Sequence, residues 1–271
     1  MPRRHLVPPN SLQYSGDQVI AQARIPKYRT SRLASQPWTD LPGDRMRKTR
    51  VAVLISGRGS NMMALTEAAK KSSYPAEITL VLSNRPDAAG LVHAEAAGIK
   101  IASIDHTTYR GDRESFERAM HEELLRHDIE LICLAGFMRL LSGWFVARWE
   151  DRILNIHPAL LPAFKGLDTH RRALAAGVKI HGATVHFVSA EMDSGPIVAQ
   201  GAVAVREGDD GETLAARVLE VEHRLYPLAL GLVAAGRVRV VCGRCVIDGG
   251  LADGDALIVP EPDDRQQTDD R

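Results

Sequence analysis

Short runs of apolar residues alternate with amphipathic stretches from residue 51 onward. Residues 51–55 (Val-Ala-Val-Leu-Ile) form a continuous apolar run, which is typical of a strand buried on both faces. Similar runs predict four more strands, at 78–82, 100–104, 131–135 and 152–156. The intervening stretches predict helices at 60–72, 87–97 and 112–127. Strands that alternate with helices predict an α/β fold with a doubly wound, mainly parallel sheet of the Rossmann-like type.

The pattern changes after His157. Two strand-like segments are predicted there, joined by a long loop, and they are followed by a long helix and two short strands: 180–188, 196–205, 211–235, 237–241 and 245–248. Strands connected without an intervening helix are typical of antiparallel pairing. We therefore expect an antiparallel C-terminal extension of the parallel sheet.

The two ends of the chain differ from its middle. Residues 1–48 contain six prolines and scattered arginines without a sustained apolar period, which predicts a disordered or weakly attached leader. An organellar transit peptide is an alternative, although the prolines argue against the amphipathic helix that it needs. A further hypothesis is that translation starts at Met46. Residues 251–271 are rich in Asp and Pro and predict an acidic disordered tail, which leaves 49–250 as the catalytic domain.

The composition is that of an ordinary globular protein. Of 271 residues, 45% are hydrophobic and 25% are charged, and the 34 basic residues balance the 34 acidic ones. This balance gives no support to a nucleic-acid binder, which normally has a basic excess. No apolar run approaches the roughly 20 residues of a membrane helix, and the N-terminus lacks the core of a secretory signal. We expect a cytoplasmic protein that binds neither nucleic acid nor membrane.

Three cysteines are too few for a disulfide framework. Cys242 and Cys245 have CxxC spacing, but no second pair completes a zinc site. A turn between two short strands is the favoured interpretation of this segment. No histidine pair has metal-ligand spacing either, so we expect no metal.

A glycine-containing segment, Ser56-Gly57-Arg58-Gly59-Ser60-Asn61, connects the first strand to the first helix. At this point of an open parallel sheet, a helix N-terminus offers free N–H groups to anions. The segment does not match the dinucleotide-binding pattern, because Met62 stands where the third glycine would be. It does not match the Walker pattern either, because it lacks Gly-Lys-Ser/Thr. A small phosphate ester is the functional interpretation, and a tight turn without a ligand is the structural one.

Asn155 and His157 lie at the end of the fifth predicted strand, and the two-residue period puts them on the same side. An amide can donate to a developing oxyanion, and an imidazole can handle a proton. Asp193, in a Gly- and Pro-containing loop, could hold that imidazole. Each of these residues also has a structural interpretation, since turn Asp residues are common. His186, which alternates with apolar neighbours, is interpreted as a structural histidine.

Gly136 and Arg139 follow the fourth predicted strand. The carboxyl ends of parallel strands face the ligand crevice, and glycine permits close approach of a ligand. Arg139 is therefore a candidate for binding an anionic substrate tail. A solvated surface arginine is the alternative for this residue.

Five strings, in this order, carry a family resemblance: 54–61 (Leu-Ile-Ser-Gly-Arg-Gly-Ser-Asn), 134–139 (Leu-Ala-Gly-Phe-Met-Arg), 155–162 (Asn-Ile-His-Pro-Ala-Leu-Leu-Pro), 181–188 (His-Gly-Ala-Thr-Val-His-Phe-Val) and 192–197 (Met-Asp-Ser-Gly-Pro-Ile). Residues 50–248 resemble the phosphoribosylglycinamide formyltransferase family. The resemblance implies transfer of a formyl group from 10-formyltetrahydrofolate to the amine of glycinamide ribonucleotide, in de novo purine synthesis.

The resemblance also assigns residues by matching position. Asn155, His157 and Asp193 would be the catalytic group. Gly59, Ser60 and Asn61 would hold the ribonucleotide phosphate, and Glu222 would contact its glycinamide end. The folate would be bound by two segments and two arginines near its carboxylate tail, with members of the catalytic group beside it: Arg113, Met138, Arg139, Leu140, Leu141, Asn155, Ser189, Ala190, Glu191, Met192 and Asp193. The loop around 190–195 would close over the folate.

Two departures from the family pattern stand at 219–221, where a polar group is common, and at Asp168, where a histidine is common.

Related activities remain as alternatives. A formyltetrahydrofolate hydrolase carries an N-terminal regulatory domain, which residues 1–48 are too few to form. A methionyl-tRNA formyltransferase needs a further C-terminal domain, and a non-catalytic phosphate-sugar binding protein would not turn over. We expect small-molecule substrates and a monomer or homodimer.

Overall fold

The structure, a computed structural model, describes residues 47–248. Within this range the chain forms nine β-strands and six α-helices. The strands are β1 (Thr49–Ile55), β2 (Ala76–Ser83), β3 (Lys100–Ser103), β4 (Leu131–Leu134), β5 (Ile153–His157), β6 (Ile180–Phe187), β7 (Ile197–Ala204), β8 (Val238–Val241) and β9 (Arg244–Ile247). The helices are α1 (Ser60–Ala69), α2 (Ala89–Ala96), α3 (Arg113–Arg126), α4 (Gly143–Arg148), α5 (Thr169–Ala175) and α6 (Gly211–Ala234).

Seven strands form the main sheet in the order β3-β2-β1-β4-β5-β6-β7. The strands from β3 to β5 in this order pair in parallel, whereas β6 runs antiparallel to β5 and β7 antiparallel to β6. β8 and β9 form a separate antiparallel hairpin. The predicted fold class is therefore confirmed. The strand order reverses direction between β1 and β4, and the crevice outside the carboxyl ends of such strands is where open α/β sheets bind ligands.

Each face of the sheet packs against its own set of helices. Val51, Val53 and Ile55 belong to a core cluster that includes residues of α1, α2 and α6. Ala52 and Leu54 belong to a second cluster, formed with residues of α3 and α4. Both faces of β1 are thus covered, which explains why its sequence is continuously apolar rather than alternating.

Two helices and a short 3₁₀ helix (His106–Tyr109) were not expected from the sequence pattern. α4 has 6 residues and α5 has 7. Segments this short complete at most two turns, so they show no apolar period that a sequence pattern can detect. α4 begins where the side chain of Ser142 accepts a hydrogen bond from the Phe145 N–H, a contact typical of helix N-caps.

The turn predicted between two short strands at the CxxC segment is confirmed. Cys242 (φ 50°) and Gly243 (φ 73°) occupy the two central positions between β8 and β9, as in a two-residue hairpin turn. The predicted leader, apart from residues 47–48, and the predicted acidic tail lie outside the described residues, as does Met46. Among the helices that the structure describes, none is both long and apolar enough to cross a membrane.

Candidate active site

Asn155 and His157 lie at the carboxyl end of β5, between β4 and β6. Their neighbours Leu154 and Ile156 pack into the α1/α2/α6 cluster, and Ile153 packs into the α3/α4 cluster. Because side chains alternate along a strand, Asn155 and His157 both face the α3/α4 side. His157 is buried. The strand thus presents an amide and an imidazole together at the edge of the crevice.

Asp193 reaches this pair from the loop between β6 and β7. Its Oδ2 atom lies 3.4 Å from His157 Nδ1 and accepts a hydrogen bond from the Gly166 N–H at 2.9 Å. Its backbone is left-handed, with φ 51°, a conformation that Asp and Asn tolerate better than most residues. The folded chain therefore brings together the three residues that the sequence left in two separate segments.

The two ring nitrogens of His157 have different contacts. His157 Nε2 lies 3.0 Å from the carbonyl oxygen of Phe164. A carbonyl only accepts hydrogen bonds, so Nε2 carries a hydrogen in either protonation state. The other ring nitrogen, Nδ1, faces the carboxylate of Asp193. The imidazole is thus held between a backbone carbonyl and a carboxylate.

His186 also belongs to this group. It pairs with Asn155 across β5 and β6, and its Nε2 lies 3.3 Å from Asn155 Nδ2 and 3.8 Å from Asp193 Oδ1. Its Nδ1 donates to the Phe187 carbonyl oxygen at 2.8 Å. Burial lowers the pKa of His186, which favours the neutral ring with an accepting Nε2. One N–H of the Asn155 amide is therefore held by His186, and the other has no hydrogen-bond partner within residues 47–248.

These contacts fit the interpretation of His186 as a satisfied structural histidine, and they also place it against Asn155. Only the antiparallel register between β5 and β6 places it opposite Asn155, and that register was not part of the sequence pattern. A signal was nevertheless present. Asn155 and His186 each stand two residues from another polar side chain, His157 and Thr184, on the same strand.

The segment after β1 forms an open helix N-terminus. Gly59 has φ 76° and precedes α1, whose first backbone bond runs from the Met63 N–H to the Gly59 carbonyl oxygen. Among the described residues, the backbone N–H groups of 60–62 have no hydrogen-bond partner. Free N–H groups and the positive end of a helix dipole together suit an anion.

Glycine is required where α2 meets this segment. The Gly90 N–H donates to the Gly57 carbonyl oxygen at 3.0 Å. A Cβ atom at Gly90 would lie 2.5 Å from Ile55 Cδ1 and 3.1 Å from that same oxygen. The start of α2 thus packs directly against the segment that contains Gly57. It can come this close only because residue 90 has no side chain.

Asn61 and Glu222 make a direct contact. Asn61 Nδ2 donates to Glu222 Oε2 at 2.7 Å, and both side chains are buried. Burial raises the pKa of the Glu222 carboxyl, although the hydrogen bond from Asn61 opposes this shift. The sequence assigned the two residues to opposite ends of one substrate, whereas the structure joins them. Asn61 Oδ1 is buried without a partner among the described residues.

This geometry can be compared with known proteins. The sequence pattern described as "Formyl transferase" matches residues 49–230, which is more than half of the chain. The chain belongs to the formyl transferase family. The match includes β1, the Gly59 loop, β5 with Asn155 and His157, the loop of Asp193, and the part of α6 that carries Glu222.

Named members of the formyl transferase family are closely similar. The chain is 41% identical to the phosphoribosylglycinamide formyltransferase of Escherichia coli (strain K12), over 73% of this chain and 93% of that protein. It is 54% identical to the trifunctional purine biosynthetic protein adenosine-3 of Gallus gallus, of which it covers 19% while 71% of this chain is aligned. The chain therefore spans about a fifth of the length of that trifunctional relative.

A solved structure has the same architecture. The glycinamide ribonucleotide transformylase 1 of Symbiobacterium toebii superimposes with a TM-score of 0.72 at 45% identity. The superposition covers 74% of this chain and 94% of the other. The shared fold thus extends over nearly all of the Symbiobacterium toebii chain.

The residues that the family resemblance assigned to a folate pocket differ in their exposure. Met138 and Leu140 are exposed, Leu141 packs against the α3/α4 cluster, and Val188, next to Ser189, packs against the same cluster. Arg113 begins α3 and is exposed. Among the described residues, no hydrogen bond or ion pair joins Arg113 or Arg139 to the Asn155–His157–Asp193 group.

The loop of residues 189–193 lies directly beside His157, because its last member is Asp193. Ser189 Oγ donates to the Glu191 carbonyl oxygen at 2.9 Å, while Ala190, Glu191 and Met192 are exposed. Across residues 47–248, no three His, Cys, Asp or Glu side chains converge as a group that could hold a metal ion.

Proposed function

We propose that this protein transfers the formyl group of 10-formyltetrahydrofolate to the amine of N1-(5-phospho-D-ribosyl)glycinamide in de novo purine (IMP) biosynthesis. The observation that carries the proposal is the position of two sites at one edge of the sheet. The open N-terminus of α1 follows β1, and the Asn155–His157–Asp193 group follows β5. An acyl-transfer group beside an anion site suits a phosphorylated amine as acceptor. The names of the similar proteins point in the same direction.

The first chemical step is attack of the substrate amine on the formyl carbon. A carbon–nitrogen bond forms, and the carbonyl electron pair moves onto the formyl oxygen. The second N–H of Asn155 would donate to that oxygen, and His157 would stabilise it further, either as imidazolium or as proton donor. Loss of one oxyanion donor typically costs about 3 kcal/mol, or at least about a hundredfold in rate.

The second step expels the folate. The bond between the formyl carbon and the folate nitrogen breaks, and the electron pair returns to the carbonyl. The attacking amine must lose a proton, and the departing folate nitrogen must gain one. Asp193, the carboxylate that faces His157 Nδ1, would relay this proton, directly or through water. Neither a metal nor a nucleophilic side chain is required.

Substrate binding follows from the two ends of the site. Gly59, Ser60 and Asn61 would hold the ribonucleotide phosphate, and the backbone N–H groups of residues 60–62 would donate hydrogen bonds to it. Glu222, joined to Asn61, would face the glycinamide end of the same molecule. Residues 138–141 and 189–193 would line the folate pocket, with Arg113 and Arg139 near its carboxylate tail.

The closest rival is hydrolysis of the same formyl folate. Water needs no phosphate anchor, so the open N-terminus of α1 favours the transferase. In line with this function, we infer a cytoplasmic enzyme that acts on small molecules, as a monomer or homodimer.

One assay separates the rivals. Purified protein is mixed with 10-formyltetrahydrofolate, with and without the ribonucleotide, and release of tetrahydrofolate is followed. We expect release that depends on the ribonucleotide and yields its N-formyl product. Equal rates with and without ribonucleotide would establish the hydrolase, and ligand binding without turnover would establish a binding protein.

A further inference from the structure

The residues that link β4 to α4 have little apolar support of their own. We call residues 138–142 the linking segment. Met138 is 71% exposed and Leu140 is 62% exposed, and only Leu141 packs against the core. The segment also lies outside the strand and the helix that flank it. Something other than regular structure and hydrophobic burial must therefore hold its backbone in place.

The first end of the linking segment is held by Ser56. The Met138 N–H donates to Ser56 Oγ at 2.8 Å, and Ser56 Oγ donates to Asn84 Oδ1 at 2.6 Å. Ser56 directly follows β1, and its side chain is buried. Its hydroxyl thus uses both its acceptor and its donor capacity to tie the linking segment to the ends of β1 and β2.

The second end is held by Glu117 of α3, which is only 1% exposed. Glu117 Oε1 accepts from the Ser142 N–H at 2.7 Å, and Oε2 accepts from the Ser142 hydroxyl. A buried carboxylate is costly unless its oxygens are hydrogen-bonded, and here both oxygens bond to one residue. Packing alone would favour an apolar side chain at this position of α3. The carboxylate is explained by its contact with Ser142.

We propose that Ser56 and Glu117 are positioning residues for the formyl donor, because together they fix both ends of the linking segment. This inference rests on the proposed function, in which residues 138–141 line the folate pocket. Neither residue needs to touch a substrate. Their effect should appear in the KM for the folate, because it is the backbone facing the folate that they hold.

The test uses Ser56→Ala and Glu117→Gln in the full-length protein. We expect the KM for 10-formyltetrahydrofolate to rise about tenfold, which corresponds to about 1.4 kcal/mol. The kcat and the KM for the ribonucleotide should change less than about twofold. Ser56→Thr, which retains the hydroxyl, should restore most of the folate affinity. Equal increases in both KM values, or an unchanged folate KM in both variants, would overturn the proposal.

Two matched controls are available. Ser83→Ala removes a buried hydroxyl at the end of the neighbouring strand β2, where its hydrogen bonds go to Arg85. Glu122→Gln removes an exposed carboxylate from α3. We expect both to retain the wild-type folate KM. A rise in either control as large as in the test variants would mean that the effect is not specific, which would refute the proposal.

A second measurement does not depend on the enzyme activity. Amide hydrogen exchange at Met138 should accelerate in Ser56→Ala, and exchange at Ser142 should accelerate in Glu117→Gln, because each N–H loses or weakens its acceptor. A wild-type protein without turnover would refute the proposed function alone. Unchanged exchange at both amides would refute the anchoring itself. If one variant does not fold, the other carries the same test.

Discussion

Two regions of the proposed site are built in opposite ways. One is the phosphate loop, which we define as residues 57–62, and the other is the Asn155–His157–Asp193 group. The first uses backbone N–H groups from a single stretch, residues 60–62, at the start of α1. The second uses side chains from β5, from β6 and from the loop that carries Asp193. Backbone groups at a helix N-terminus point in a direction set by the helix. Side chains from three segments meet only if the sheet register and the loop both place them.

This difference predicts different responses to substitution. The phosphate loop should be sensitive to an added side chain that displaces its backbone, because backbone N–H groups rather than side chains would bind the phosphate. The Asn155–His157–Asp193 group should be sensitive to changes of single atoms, since its contacts are made by individual carboxylate, ring and amide atoms. The four changes below test this contrast, from the largest expected effect to the smallest.

Asp193→Asn should have the largest effect, a fall in kcat of about a hundredfold to a thousandfold with little change in either KM. The change keeps the size of the side chain and tolerates φ 51°, but it removes the charge that faces His157 Nδ1. Steady-state kinetics measure it. Asp128→Asn is a matched control, because Asp128 also has a left-handed backbone, with φ 50°. A nearly normal kcat in Asp193→Asn would remove this carboxylate from the chemistry.

His186→Leu should lower kcat about tenfold. The partly buried amide of Asn155 would lose the acceptor that holds one of its N–H groups, and with it the hydrogen bond that orients the amide. His186→Gln can place an acceptor near the former Nε2 position and should lose less. If both variants turned over like the wild type, Asn155 would not depend on His186 for its orientation.

Gly90→Ala should raise the KM for the ribonucleotide severalfold while kcat changes little. The added Cβ would crowd Ile55 and the Gly57 carbonyl oxygen and displace the phosphate loop. Gly143→Ala is the control, because a Cβ there meets no atom within 4 Å. A larger effect on kcat than on this KM would contradict the division of tasks between the two regions.

Glu222→Gln should give the smallest effect, a modest rise in the free energy of unfolding at pH 8. Because burial raises the folded-state pKa of Glu222 above its unfolded value, its contribution to stability is present below the unfolded pKa. That contribution is lost as the pH rises through the folded pKa. The stabilisation by Gln should therefore vanish near pH 4. Denaturant unfolding at both pH values measures it, with exposed Glu220→Gln as control.

Most of the fold could be predicted because its strands have local causes. A strand covered on both faces must be apolar at every position, so β1 and β4 are visible in the sequence without any tertiary information. α4 and α5 could not be predicted, since helices of 6 and 7 residues are too short to show a period. They form where the tertiary structure and a capping Ser142 support them.

The site divides along the same line. The sequence by itself determined the glycine loop before α1, and it put Asn155 and His157 on one side of β5, because loop chemistry and strand alternation are local properties. Only the tertiary structure decided that Asp193 meets His157, that His186 holds Asn155, and that Asn61 bonds to Glu222. The physical reason is that these contacts depend on strand register and helix packing, which arise from burial of the whole core rather than from any one segment.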